Sequence, residues 1–236
     1  MTSLAELRFF TTPPHECSYL PNREATTLFV DPLARVDKST YSVLSEAGFR
    51  RSGNHIYRPY CEDCAACIPV RVPAASFRMN RRQRRIWKKN LDLVVAPAQP
   101  AVSDEYFDLY RRYINQRHAD GDMYPADLSQ FRSFLVEGRP EALFYELRHQ
   151  GRLVGVAVVD ELDNALSAIY TFFEPDLPAR SLGVFAVLWL LSEAKRRSLA
   201  HVYLGYWIKD CQKMNYKSDY QPLELLSQDQ WVTYSP

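Results

Sequence analysis

"ALFYELRHQGRLVGVAVVDELDNALSAIYTFF", residues 142–173, decides the fold. The polar turns "HQGR" and "DN" cut it into three runs rich in β-branched and aromatic residues. Each run is short, and each turn is tight enough to reverse the chain, so the segment predicts three consecutive antiparallel strands. After "EPDLPAR", Ser181 stands where a helix cap belongs, and the apolar spacing behind it predicts a helix to about Arg197. The basic end of that helix, "KRRS", suits the negative pole of its dipole. "HVYLGYW" then reads as a strand and "KDCQKMNYK" as a helix.

Upstream, Ser103 caps a helix with Asp104 and Glu105 in its first turn and Tyr106, Phe107, Tyr110 and Ile114 at helical spacing. A shorter helix is expected over 128–137, ending at Gly138. Helix, helix, three antiparallel strands, helix, strand, helix is the succession of the acetyltransferase-like (GNAT) acyl-transfer fold. The class expected is therefore α+β, an analogy of topology that says nothing by itself about chemistry.

The first hundred residues are less regular. A helix from Ser39 stopped at Gly48, a strand around His55–Arg58 and another in "IPVRVP" are expected. The proline-bearing stretch "VVAPAQPAVSDE" (94–105) marks a boundary, dividing an irregular N-terminal lobe, 1–98, from a transferase-like domain, 99–236. The 236 residues, 47% apolar and 24% charged, suffice for a substantial core and exclude global disorder. "MTSLAELRFF" lacks the basic start and apolar core of an export signal, and "GVFAVLWLL" (183–191) is too short to span a bilayer. A cytoplasmic location without membrane partners is expected.

Five cysteines in a reducing compartment point to metal, redox chemistry or burial rather than disulfides. "YRPYCEDCAACIPVRV" (57–72) sets Cys61, Cys64 and Cys67 at three-residue intervals, and Cys17 supplies a fourth thiol, with His15 as a substitute. Such a set suits zinc or an iron–sulfur cluster; buried thiols and a redox pair are the alternatives. "RMNRRQRRIWKKN" (78–90) holds seven Arg or Lys and no acid in a chain whose net charge is only +1. As a helix it would line Arg81, Arg84, Arg85 and Lys88 on one face, a footprint for a phosphate backbone or simply a solvated surface. "RSLGVF" (180–185) keeps an arginine and a glycine of the pyrophosphate loop of coenzyme A acetyltransferases but puts Phe185 where a small residue is expected, which disfavours coenzyme A. In "YLGYWIKDCQKMNYKSDYQPLELL" (203–226), Lys209, Lys213 and Lys217 recur at four-residue spacing, and Gly205, Tyr206 and Trp207 end a strand where this fold binds its acyl substrate.

With "ECSYLPNREATTLF" and "FFEPDLPARSLGVFAVLWLLSEAKR", these segments resemble the bacterial branch of the arginyl-tRNA–protein transferase family from near residue 10 to residue 226. The chain departs from eukaryotic relatives at Leu20, where their second N-terminal cysteine would fall. The resemblance implies transfer of leucine from leucyl-tRNA to the α-amino group of proteins beginning with Asp or Glu, which marks them for degradation. It implies no cofactor for the chemistry, the cysteines serving to staple the N-terminal lobe. Arg71 is the first expected reader of the acceptor's carboxylate and Lys213 the second, with Trp207 in the substrate site. Tyr170, Tyr206 and Asp210 are expected to orient the amine or stabilise the oxyanion, and Arg81, Arg84, Arg85 and Lys88 to hold tRNA. An arginyl donor, a coenzyme A-dependent N-acetyltransferase and a non-catalytic nucleic-acid-binding protein are the competing readings.

Overall fold

The computed structural model describes residues 6–121 and 123–235. In chain order its strands are β1 (Phe9–Thr11), β2 (His15–Glu16), β3 (Glu24–Ala25), β4 (Thr27–Val30), β5 (Arg50–Ser52), β6 (His55–Pro59), β7 (Ile68–Pro73) and β8 (Leu93–Ala98). They continue as β9 (Ala142–His149), β10 (Arg152–Glu161), β11 (Ala165–Phe173), β12 (His201–Trp207), β13 (Glu224–Ser227) and β14 (Gln230–Thr233). The helices are α1 (Lys38–Glu46), α2 (Arg81–Lys89), α3 (Asp104–Arg117), α4 (Leu128–Phe131), α5 (Leu182–Arg196) and α6 (Gln212–Asn215). No helix among the described residues is long and apolar enough to cross a membrane.

Local chemistry sets several of these boundaries. Asp37 caps α1 by accepting from the Thr40 amide, so the helix starts at Lys38, one residue before the expected Ser39. Asn80 and Gln83 form a reciprocal capping box at α2. Ser103 caps α3 as expected, whereas Ser181 ahead of α5 sits at φ 52° and makes no side-chain cap. The segment 128–137 is α4 running directly into a π-helical turn, Arg132–Val136.

The expected succession is present: α3, α4, the antiparallel strands β9, β10 and β11, then α5, β12 and α6. These strands belong to an eight-stranded sheet ordered β14-β13-β7-β12-β11-β10-β9-β8. The boundary drawn at residue 98 falls just after β8, and both β7 and β8 lie in this sheet with the strands that follow it. β10 shows how the core is divided. Its Ala157 and Val159 pack with Leu188 and Leu191 of α5, while Val156 and Val158 pack with Tyr110 and Ile114 of α3. Side chains alternate across a strand, so a strand buried on both faces reads as the unbroken apolar run seen in the sequence. The small sheet β1-β4-β6-β5 and α1 form a further core with Leu162, Ala165 and Tyr203, which seats the N-terminal lobe against the large sheet.

Candidate active site

β11 and β12 are parallel neighbours only briefly, pairing Ala165–Ser167 with His201–Tyr203 and then parting. Both strands are irregular at that point. The β10–β11 register shifts between Val158 and Val159, and the β12–β7 register shifts between Tyr203 and Gly205, where Gly205 has φ +81°. A cation takes up a carbonyl on each side of the gap. Arg50 of β5 donates from Nη2 to the Ala168 carbonyl at 2.5 Å and from Nη1 to Ser167 Oγ at 3.4 Å. Lys217 donates from Nζ to the Tyr206 carbonyl at 2.5 Å. A Cβ at position 205 would stand 3.0 Å from Arg50 Cζ, so the left-handed backbone and the close guanidinium both require glycine there.

The parting opens a cavity of about 700 Å³. Its wall includes Arg50, Arg51, Arg117, His118, Lys213 and Lys217 among many aromatic residues, and, among the described residues, not one Asp or Glu. Arg51 is neutralised behind the wall by Asp160, and Lys213 pairs with Asp120 at 2.8 Å on the exposed rim. Arg117 lies over the Phe173 ring at 5.5 Å. Arg50 and Lys217 have no acidic partner among the described residues. Burial, and then the Arg50 charge, bring the Lys217 ammonium down to about 7. Burial followed by Lys213 and Arg117 likewise holds His118 below its ordinary value. An anion entering this space meets uncompensated positive charge in a partly dry setting, where Coulomb attraction is strong.

Of the residues expected to act, Tyr170, Tyr206 and Lys213 line the cavity. The Tyr206 hydroxyl is spent on the carbonyls of Gly48 and Tyr57, at 3.0 and 3.3 Å, so it ties the N-terminal lobe to β12 instead of facing a reacting group. Tyr170 packs edge-on against Tyr113 and Phe134, and its hydroxyl meets no hydrogen-bond partner among the described residues. Trp207 donates to the Asn215 carbonyl at 3.1 Å and packs on Tyr234, within the core rather than in the cavity wall. Asp210 is exposed in the turn after β12, outside the lining. Arg71 is also elsewhere: it bonds Glu224 at 2.6 Å, reaches Glu46 at 3.4 Å and lies 4.2 Å over the Trp231 ring. Its strand was read correctly, but two carboxylates already neutralise it.

The lysine series 209, 213 and 217 does not share a helix face. α6 spans four residues, and the chain then tightens into a 3₁₀ turn, Tyr216–Asp219, which leaves Lys209 exposed and Lys217 buried. Arg81, Arg84, Arg85 and Lys88 do share the exposed side of α2, without an ion pair to any described residue, while Trp87 packs on Phe185 of α5. Arg180 of "RSLGVF" is held by both oxygens of Asp92 at 2.8 Å and is not free to clasp a pyrophosphate.

Cys17, Cys61, Cys64 and Cys67 line a neighbouring cavity of about 450 Å³, which shares Tyr19, Tyr57 and Tyr206 with the first. Burial, reinforced by the charges of Cys17, Cys61 and Cys64, pushes the Cys67 thiol up to about 12. Yet among the described residues no group of three or more His, Cys, Asp or Glu is placed to hold an ion. The chain turns once at Glu62–Asp63 and then runs without helical turns to Ile68, and the Cys61 thiol is directed at the Thr26 carbonyl, 3.7 Å away. The expected zinc or iron–sulfur centre is thus unsupported: the thiols share a cavity without converging on one point.

Sequence reasoning did not single out Arg50, and it named Lys217 only as one of a lysine series. Alternation along "FRRSG" would have put Arg50 and Arg51 on opposite faces, and the breaker-rich "KSDYQP" would have ended the helix before Lys217.

Residues 15–85 match the family description "Arginine-tRNA-protein transferase, N terminus", and residues 105–227 match its C terminus. An aspartate/glutamate leucyltransferase of Pseudomonas putida is 60% identical over 233 residues, covering 99% of each chain. One from Pseudomonas fluorescens is 59% identical over 232 residues, covering 98% of this chain and 99% of that one. Among solved structures, L-PGS from Bacillus licheniformis aligns with a TM-score of 0.47 at 11% identity, over 87% of this chain and 70% of that chain. The chain belongs to the arginine-tRNA-protein transferase family.

Proposed function

We propose that this member of the family is an aminoacyltransferase that moves leucine from leucyl-tRNA to the N-terminal α-amino group of proteins beginning with Asp or Glu, marking them for degradation in the cytoplasm. One observation carries the reading: the cavity where β11 and β12 part is cationic, and among the described residues no carboxylate lines it. An acidic acceptor side chain finds an uncompensated guanidinium there, and Arg50 is the group we assign to it in place of Arg71. The same charge favours the donor. A leucyl group enters without electrostatic cost, whereas an arginyl group would bring a further cation into a space whose described lining holds no acid to neutralise it. The Arg180–Asp92 pair weighs against coenzyme A.

The chemistry needs little. The aminoacyl ester is already activated, and an α-amino group with a pKa near 8 is partly free at neutral pH. Holding amine and ester in contact supplies up to about 7–11 kcal/mol of the barrier. The open Tyr170 hydroxyl is suited to stabilise the oxyanion formed as the amine attacks, and the bare cationic side of α2 is suited to phosphates of the tRNA body.

The direct test offers the protein leucyl-tRNA, arginyl-tRNA, acetyl-coenzyme A and a peptide beginning with Asp in one reaction, and reads the mass gained by the peptide. Addition of leucine is expected. Addition of arginine or acetyl would replace the reading, and no addition with tRNA still bound would leave a nucleic-acid-binding protein.

A further inference from the structure

Lys217 is a lysine in an unusual place. It is 4% exposed, sits on the 3₁₀ turn after α6 and lines the cavity opposite Arg50. Buried lysines ordinarily keep their charge by pairing with a carboxylate, but Lys217 has none among the described residues. Its Nζ has two acceptors, the Tyr206 carbonyl at 2.5 Å and Met214 Sδ at 3.3 Å, and the Tyr216 ring lies 5.4 Å away. An ammonium carries three N–H donors and would leave one unmet, whereas a neutral amine carries two donors and one lone pair. Two acceptors and one open direction match the neutral form.

We propose that neutral Lys217 is the general base of the transfer, its lone pair taking the proton of the acceptor's α-amine as that amine attacks the aminoacyl ester. This rests on the aminoacyl-transfer reading above. The bonds and protons balance within the site. The amine nitrogen bonds to the ester carbonyl carbon, and its proton passes to Nζ. As the tetrahedral intermediate collapses, the carbon–oxygen bond to the tRNA ribose breaks, and Nζ returns the proton to the departing oxygen. The product is an amide and a ribose hydroxyl, with Lys217 neutral again and no net proton exchanged.

The groups facing Lys217 support this. Arg50 on β5 disfavours a second positive charge, while Cys67 before β7 and Cys211 before α6 oppose it only in part, and Tyr206 on β12 offers its carbonyl and no negative charge. A base titrating near 7 is neutral for most of the time under working conditions, yet basic enough to take a proton in a transition state.

The test is the pH dependence of kcat/KM for an Asp-initiated peptide at saturating leucyl-tRNA, which reports ionisations of the enzyme–leucyl-tRNA complex and of the free peptide. Wild type should rise with a limiting log–log slope of 2 at low pH, because Lys217 and the peptide amine must both be neutral. Lys217→Met should lose about 10²- to 10⁴-fold and show a slope of 1, set by the peptide amine alone. Added ethylamine should restore part of the rate to Lys217→Ala. A lower rate with the slope still 2 would mean that Lys217 only supports the fold, and would overturn the proposal. So would a rate within threefold of wild type. Should these variants fail to fold, ¹⁵N NMR of the wild-type lysine side chains decides: an Nζ titrating near neutrality is required, and no lysine titrating below about 9 rejects the base. Wild type that transfers no leucine at all would sink the parent reading instead, without bearing on how Lys217 titrates.

Discussion

Two arginines adjacent on β5 have opposite fates. Arg51 is fully buried and grips Asp160 of β10 with two hydrogen bonds, at 2.6 and 2.7 Å, while the Tyr41 hydroxyl of α1 donates to the same carboxylate at 2.7 Å. Arg50, pointing to the other face of the strand, meets among the described residues only a carbonyl and a hydroxyl. The first cluster is electrically complete: helix, small sheet and large sheet are joined by it, and it has nothing left to offer a ligand. The second is incomplete and opens on a cavity. What separates structural from functional charge in this molecule is whether the protein has already supplied the counter-charge. Arg71, stacked on Trp231 and paired with Glu224, falls with Arg51.

The contrast is broken most severely at Asp160. Asp160→Asn leaves the Arg51 guanidinium buried without its counter-charge, and such half-pairs typically cost about 3–5 kcal/mol. Urea unfolding should register that loss, while the folded fraction keeps its preference for acidic acceptors. A loss under about 1 kcal/mol would mean that water reaches the pair.

Arg50→Met should do the reverse. Stability should change by less than about 1 kcal/mol, because only hydrogen bonds to neutral groups are lost. The transfer to Asp-initiated peptides should drop by about 2–4 kcal/mol in kcat/KM, and the gap between Asp and Asn acceptors should narrow. Arg50→Lys should recover only part, since an ammonium cannot make the two-pronged contact. Unchanged discrimination after Arg50→Met would move the carboxylate reader to Arg117 or Lys213 on the rim.

Lys217 tests the comparison through pH. Its ammonium is held at about 7 in the folded chain against an ordinary 10.5, so the native state binds fewer protons than the unfolded one. The penalty is complete below pH 7, where the native lysine must be charged, shrinks as pH climbs from 7 to 10.5, and is absent above that. Lys217→Met should therefore be more stable than wild type near pH 6, by about 1–3 kcal/mol after allowing for relaxation around the charge. The advantage should fade toward pH 10.5, as followed by urea midpoints across that range. An advantage that grows with pH would show that the native lysine is stabilised as a cation.

Much of the scaffold was legible because its signals are local. The β9–β11 turns, the Ser103 cap and the apolar period of α5 act within a few residues of where they are read. The insertion of β7 beside β12 was not legible, since "IPVRVP" declares a strand but not its neighbours, and the pairing of Val72 with Val202 spans a long stretch of chain. The surroundings of the expected site residues were not legible for the same reason. Nothing in "PVRV" shows that Glu224 and Glu46 await Arg71, and nothing in "FRRSG" shows that Asp160 awaits one arginine and no acid among the described residues the other. Thiol spacing likewise declares sulfur donors but not the backbone path that would bring them to a point.

The smallest effect on the fold, and the cleanest on one ligand, is expected at α2, where charge is uncompensated but fully exposed. Water solvates Arg81, Arg84, Arg85 and Lys88 there, so their removal costs no buried counter-charge, unlike that of Arg51. Arg81 with Arg85, and Arg84 with Lys88, are like-charge pairs one turn apart, each mildly unfavourable. Changing all four to Gln keeps good helix formers in place, and thermal stability should stay level or rise by about 0.5 kcal/mol. If the helix lies on tRNA phosphates, each lost contact removes roughly 0.7–0.9 from the slope of log affinity against log salt. Two to four such contacts would flatten the slope by about 1.5–3.5 and weaken binding at low salt, because fewer counterions are released. The preference for Asp over Asn acceptors should not move, since that belongs to the unpaired charge inside. A slope identical to wild type would return α2 to the role of a solvated face and leave the cavity rim, Arg117 and Lys213, as the tRNA contact.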